Sequence, residues 1–254
     1  MSDLSDAPYA AAPVSHVLPE HLSERVILCC GEVEDELMRA FRDLDGKALL
    51  VQQYRCYKVW KYADFSLILA GIGTGALEPL LWEILPAGVV KKIVLIGTAG
   101  CVSPEAPPMG CALPIRAAYP CGTGIDAEVG FEPLRPNWPA LPQGTNSCTI
   151  ASSDFFYGYS DLVLDGSFRA CQGPFRERYK AIRDLTDLID MEVAPFYYFA
   201  PRFAPAGSLE YIAVKGSSNA LGKGAEMNQY SGAVMEHCAE QAMNMLGIRV
   251  APLS

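Results

Sequence analysis

The chain has 254 residues, half of them hydrophobic, enough to bury one large core at the size common among α/β domains. Its formal charge of −9, with no Lys/Arg cluster, leaves nothing to neutralise a nucleic-acid backbone, so nucleic acid is excluded as a partner. The start, Met1 to Val14, lacks a basic region followed by an apolar one, and Glu78 and Glu83 interrupt the longest apolar stretches, so neither a signal peptide nor a membrane partner is expected.

Nine cysteines scattered without a CxxC pair read as reduced thiols, which points to a cytoplasmic protein. Three histidines, His16, His21 and His237, stand at no metal-ligand spacing, so no metal is expected.

Residues 1–24 read as an N-terminal arm and residues 25–254 as one domain. Arg25 to Gly31 is an apolar strand running into a turn, followed by a helix from Glu34 to Leu44 with Leu37, Ala40 and Phe41 inward. Lys47 to Lys61, rich in Val, Tyr, Trp and Gln, suggests paired strands. Phe65 to Ala70 is a short strand, Gly71 to Gly75 a glycine turn and Leu77 to Leu85 a helix, which together make a strand–turn–helix unit of the βαβ kind.

Ile93 to Gly97 and Gly110 to Ala118 are further apolar strands of the same sheet. Five prolines and several glycines between Tyr119 and Gly144 predict a long loop, a lid candidate. A strand at Ser147 to Ser152, a helix near Arg176 to Arg183, a helix from Val193 to Ala200, a strand at Leu209 to Lys215 and a last helix from Ala225 to Leu246 complete the chain. The fold class is α/β: a single domain with a central mixed, largely parallel twisted sheet flanked by helices.

Candidate chemistry gathers where strands end. In Asp190-Met191-Glu192, two carboxylates stand at the mouth of the apolar helix Val193 to Ala200. A carboxylate there is held by free backbone N–H groups and the positive end of the helix dipole, and its two oxygens suit the vicinal hydroxyls of a sugar. Pro195 is tolerated in that first turn because no hydrogen bond is lost.

Gly71-Ile72-Gly73-Thr74-Gly75-Ala76 fits the dinucleotide pattern GxGxxA, but the tip of the next strand, Ile96-Gly97-Thr98, lacks the acid that a nicotinamide cofactor's ribose requires. What remains is a turn able to approach a sugar or an anion. Thr98-Ala99-Gly100 presents a hydroxyl and amides, and Ser152-Ser153-Asp154-Phe155-Phe156-Tyr157 presents hydroxyls, an acid and aromatic rings on which a flat base would stack. In Lys215-Gly216-Ser217-Ser218-Asn219 the Asn219 amide can both donate to and accept from a base edge.

Taken in order, these tips resemble the nucleoside phosphorylase/nucleosidase superfamily, with its purine nucleoside phosphorylase, uridine phosphorylase and methylthioadenosine/adenosylhomocysteine nucleosidase types. The likeness runs from about Arg25 to Leu246. It implies cleavage of the N-glycosidic bond of a nucleoside, purine favoured, with phosphate or water as nucleophile and no cofactor.

By the same resemblance, Glu192 would bind the ribose hydroxyls and Met191 would line the sugar. Phe156, with Tyr157 and Ser153 beside it, would hold the base. Thr98 and the turn from Gly71 to Gly73 would face the nucleophile. His16 would be lent to a neighbouring subunit of a homo-oligomer.

Two departures bear on the reaction. The family's phosphate-gripping arginines are replaced by Leu95 and by the acidic turn Gly31-Glu32-Val33-Glu34-Asp35-Glu36, in which Glu36 holds the place of the nucleosidases' water-activating glutamate. The family's catalytic aspartate falls on Asn219, which hydrogen-bonds a leaving base without supplying a proton. Arg55 of a neighbouring subunit could meet phosphate instead. A nucleoside-binding protein of the same fold without turnover, and an oxidoreductase using the Gly71 turn, are the competing expectations.

Overall fold

The computed structural model describes residues 12–42, 48–104, 106–130, 132–139, 141, 145–154, 177, 184–220 and 227–248. Among them the strands are β1 (Arg25–Cys30), β2 (Leu49–Tyr54), β3 (Tyr57–Lys61), β4 (Ser66–Ala70), β5 (Lys92–Cys101), β6 (Ala112–Pro120), β7 (Cys148–Ser152), β8 (Leu188–Asp190) and β9 (Glu210–Ala220). The helices are α1 (Glu34–Ala40), α2 (Thr74–Ile84), α3 (Asp126–Val129), α4 (Val193–Phe203) and α5 (Met227–Leu246).

One sheet carries all of these strands in the order β2-β3-β4-β1-β5-β8-β7-β6-β9. Strands β1, β4, β5 and β9 run parallel to one another, and so do β6, β7 and β8. The β2–β3, β3–β4, β5–β8 and β6–β9 pairs are antiparallel, so the sheet is mixed, as the sequence predicts.

It is not fully open, however. Because β9 also pairs with β5, the strands β5-β8-β7-β6-β9 close into a ring. The length of β5 makes this closure feasible. Its first half pairs with β1 through Arg25↔Lys92 to Cys29↔Ile96, leaving Gly100 and Cys101 to pair with β8. A bulge at Ala99/Gly100 turns the strand between these two sets of partners.

Apolar residues alternate between the sheet faces. Leu95, Ala99, Ile115, Ile150 and Ala213 pack against α2 and α4, whereas Val94, Ile96, Ile212 and Val214 pack against α5 and the Leu37 face of α1. Helix α4 is buried on nearly every side, which explains why its sequence is apolar all round. Tyr197 on α4 donates its hydroxyl hydrogen to the Ile115 carbonyl at 2.7 Å and accepts the Ala213 amide at 3.0 Å, joining β6 to β9 across the ring.

Residues 12–24, read as part of the arm, place Val17 and Leu22 in the core, and Glu83 accepts the amides of Val14 and Ser15 at 2.8 Å each. The proline-rich stretch after Tyr119 is more regular than its composition suggests. Asp126 accepts the Thr123 amide and begins α3, and backbone bridges tie Leu134 to Ala118 and Asn137 to Tyr211. The helix expected near Arg176 to Arg183 lies outside the described residues except for residue 177.

Candidate active site

Strand β8 ends at Asp190 and α4 begins at Val193, so Asp190-Met191-Glu192 turns the chain at a sheet edge beside the end of β7. Here one expectation is corrected. Asp190, not Glu192, accepts the free N–H of the helix, from Val193 at 3.1 Å, and Ser152 Oγ accepts the Ala194 amide at 2.8 Å. The Ser152 hydroxyl is itself bound to Asp190 at 2.5 Å.

Glu192 is the residue before the first helical one and caps nothing with its side chain. The reason is positional: a carboxylate two residues closer to the strand can curl back over the first turn, whereas the Glu192 side chain leaves the helix axis. It goes to the glycine turn. Glu192 Oε1 accepts the Gly73 amide at 2.9 Å, and Oε2 stands 3.2 Å from Lys215 Nζ.

Gly73 has φ +77°, a conformation that favours glycine, and a Cβ there would lie 3.6 Å from Met191 Cε and 3.4 Å from Asp154 Oδ1. Asp154 holds the same turn by accepting the Thr74 amide and hydroxyl, at 3.2 and 2.9 Å.

Lys215 was unmarked in the sequence beyond its place in the motif at the end of a strand. It is fully buried, with Nζ 3.1 Å from Asp190 and 3.2 Å from Glu192. Burial alone would lower its pKa, but Asp190, Glu192 and Glu32 outweigh burial and hold it well above 10.5, so the ammonium stays charged. Burial raises the Glu192 carboxyl, an effect opposed by Lys215 and by the Gly73 amide. A lysine directly after the apolar run Ile212-Ala213-Val214, inside a strand, was the available signal, since an unpaired buried ammonium is not tolerated.

Glu32 completes the cluster. Its carboxylate accepts the Thr98 amide at 2.5 Å. A Cβ on Gly97 would come within 3.0 Å of both Glu32 Oε1 and Lys215 Nζ, so glycine is required for this close approach. Burial raises the Glu32 carboxyl, and the Thr98 amide and hydroxyl and Lys215 act against that rise. Glu36, the acid singled out in this turn, stands on α1 with a buried Oε2 that has no partner, and its charge adds to the rise at Glu32. Glu34 is turned aside to Lys58.

The remaining expected residues divide as follows. Ser153 is buried, and its amide donates to the Asp190 carbonyl at 2.9 Å. Asn219 pairs with Gly100, which also pairs with Ile189 one residue before Asp190. Its Oδ1 accepts the Ser218 hydroxyl at 2.9 Å, and its Nδ2 donates to the Ala220 carbonyl at 3.0 Å.

Gly71 packs against Cys56 at the β2–β3 turn. His16 is not in the buried cluster; it is exposed and stacks on Tyr54 with ring centroids 3.8 Å apart, while Arg55 lies over the same ring. Phe156 and Tyr157 lie outside the described residues. Leu95, at one of the missing arginine positions, is fully buried in the core. No helix among the described residues is long and apolar enough to cross a membrane.

The phosphorylase superfamily profile matches residues 54–251. Among solved structures, uridine phosphorylase from Vibrio fischeri ES114 is similar at 18% identity and a TM-score of 0.65, covering 94% of this chain and 97% of its own. Purine nucleoside phosphorylase from Toxoplasma gondii, in complex with immucillin-H, is similar at 16% identity and 0.62, covering 90% of this chain and 95% of its own. The 5′-methylthioadenosine/S-adenosylhomocysteine nucleosidase of Neisseria meningitidis, in complex with methylthio-immucillin-A, is similar at 13% identity and 0.61, covering 89% and 99%. No curated protein matches.

Proposed function

Because the chain belongs to the phosphorylase superfamily, we propose that it cleaves the N-glycosidic bond of a nucleoside, purine favoured, and releases the free base by phosphorolysis or hydrolysis. The observation that carries this reading is the buried Glu192 carboxylate, held by the Gly73 amide on one oxygen and by Lys215 on the other. Each oxygen keeps a lone pair beyond those contacts, and together they suit two neighbouring sugar hydroxyls.

Bond cleavage places positive charge on the sugar and negative charge on the departing base. Glu192, fixed in direction, opposes the first. Asn219 hydrogen-bonds the second: its amide retains one N–H after the contact with Ala220. Met191 lines the sugar beside the Gly73 turn, Ser153 supports Asp190, and Phe156 and Tyr157 stack on the base. The enzyme works without a cofactor, in the cytoplasm, as a homo-oligomer in which the exposed His16 and Arg55 meet a neighbouring copy's site.

A second reading, nucleoside binding without turnover, draws on one observation: the Asn219 amide, which has no proton to give up as an acid does, is already engaged at its oxygen by the Ser218 hydroxyl and at its nitrogen by the Ala220 carbonyl. A panel of purine and pyrimidine nucleosides, incubated with the protein with and without phosphate, separates the two readings. Free base is the expected product; binding without any free base supports the second reading.

A further inference from the structure

We propose that Asp154 is a positioning residue for the sugar-facing acid: it holds the glycine turn so that the Gly73 N–H stays aimed at Glu192. The inference rests on the nucleoside-cleavage reading and deepens it by naming a residue that acts through Glu192 without touching substrate.

The turn that meets Glu192 has little stiffness of its own. Gly71, Gly73 and Gly75 alternate through it, and glycine gives up more backbone freedom on ordering than any other residue. Gly73, at φ +77° and ψ −179°, occupies the cap position of α2, where it has no side chain to bind the first amides, and the first helical turn carries no acid. The missing acceptor comes from the end of β7. Asp154 Oδ1 accepts the Thr74 amide at 3.2 Å and the Thr74 hydroxyl at 2.9 Å. Tyr57 ties the helix further on, at the Ala76 carbonyl at 2.9 Å.

Successive amides of the turn therefore go to carboxylates from two different strand ends, Gly73 to Glu192 at 2.9 Å and Thr74 to Asp154. Only φ and ψ of Gly73 lie between these two N–H groups, because the peptides on either side are planar, so holding one orients the other. Lys215 fixes Oε2 of Glu192 and leaves Oε1 to Gly73. A loosened turn would let the carboxylate swing about the Lys215 contact, out of the direction in which it opposes the positive charge on the sugar.

Asp154 is itself well seated. Its amide donates to the Gly122 carbonyl at 3.2 Å, and the two residues before it are bound to Asp190: the Ser152 hydroxyl to the carboxylate at 2.5 Å, the Ser153 amide to the carbonyl at 2.9 Å. One strand end thus sets both sides of the Glu192–Gly73 hydrogen bond. Ser152 and Ser153 fix the turn that carries Glu192, and Asp154 fixes the turn that carries Gly73.

Two measurements on the full chain decide the matter. The first is amide hydrogen exchange read by NMR. The Gly73 amide donates to Glu192 and not to Asp154, yet in Asp154→Ala it should exchange about 10-fold faster than in the wild type. In Asp154→Asn, whose side-chain oxygen still accepts from Thr74, it should stay slow. The second is turnover of whichever nucleoside releases base. Asp154→Ala should lower kcat/KM about 10- to 10²-fold, mostly through kcat, and Asp154→Asn should keep most of the rate. In a chain that already carries Glu192→Gln, the same Asp154→Ala change should cost far less, because the charge it positions is gone. A residue that merely supports the fold would lower both backgrounds alike.

Unchanged Gly73 exchange, an undiminished Asp154→Ala rate, or equal losses in the two backgrounds would each overturn the proposal while leaving nucleoside cleavage intact. If no nucleoside yields base, the cleavage reading falls, and the exchange measurement still decides whether Asp154 holds the turn. Should Asp154→Ala fold poorly, the half-buried Thr74 answers the same question. Thr74→Val removes the hydroxyl contact and should speed Gly73 exchange, Thr74→Ser keeps the contact and should not, and identical behaviour of the two would overturn the proposal.

Discussion

Lys215 and Glu192 face each other at 3.2 Å in the interior, with side chains 1% and 6% exposed. An ion pair this dry holds only if its partners remain charged and hydrogen-bonded. Asp190 on the other side of the ammonium, and the Gly73 amide on the other oxygen of Glu192, provide that.

Replacing Lys215 by Met should therefore be severe. Two buried carboxylates would lose their shared cation, and breaking a buried pair in this way costs about 3–5 kcal/mol. A urea midpoint lowered to that extent is expected. A Lys215→Met protein as stable as the wild type would show that the cluster does not stabilise the fold.

Glu192→Gln separates function from stability. The amide oxygen can still accept the Gly73 N–H, and Lys215 keeps Asp190, so the loss in stability should stay within about 1–3 kcal/mol. The charge opposing the developing sugar cation is gone, and kcat/KM should fall by about 10²-fold or more. Kinetics and chemical denaturation on the same preparation check both halves.

Stability against pH has a definite sign at Glu32. Its folded carboxyl is raised above 4.5 by burial, so between 4.5 and the raised value the folded protein binds more protons than the unfolded chain. The contribution of this group is thus fully present below 4.5 and is lost as pH rises through the folded value. Glu32→Gln removes that loss, so its stability relative to the wild type should increase from pH 4.5 to pH 8, read as the difference in urea midpoints. A constant difference across that range would mean that the carboxyl is not raised.

Tyr197→Phe tests the ring of strands without touching the site. The substitution leaves the Ile115 carbonyl and the Ala213 amide buried and unpaired, at a cost of about 1–3 kcal/mol for such a group. Lower thermal stability with unchanged kinetic constants is the expected result. Unchanged stability would indicate that the two backbone groups find other partners.

The alternation of strands and helices was legible because it is written in local periodicity. The runs Arg25–Cys30, Ser66–Ala70 and Lys92–Cys101 are apolar at strand length, and the glycine turn before Thr74 announces a helix. The strand tips that meet, at Gly73, Thr98, Asp190-Met191-Glu192 and Asn219, could also be picked out, since polar residues ending apolar strands stand out against their surroundings. Strand β8 was harder to see: its three residues are too few to carry a period of their own.

Composition and spacing thus determined by themselves an α/β chain whose polar strand ends converge on one sheet edge. Tertiary structure alone decided which acid does what, because the deciding contacts join residues remote in the chain. Glu192 meets Gly73 across 119 residues and Glu32 meets Thr98 across 66. No local pattern distinguishes Asp190 as the helix cap from Glu192 as the partner of Lys215, or Glu32 from Glu36 in the same acidic turn. Only the closing of β9 against β5, which brings a buried ammonium between these carboxylates, assigns each of them its place.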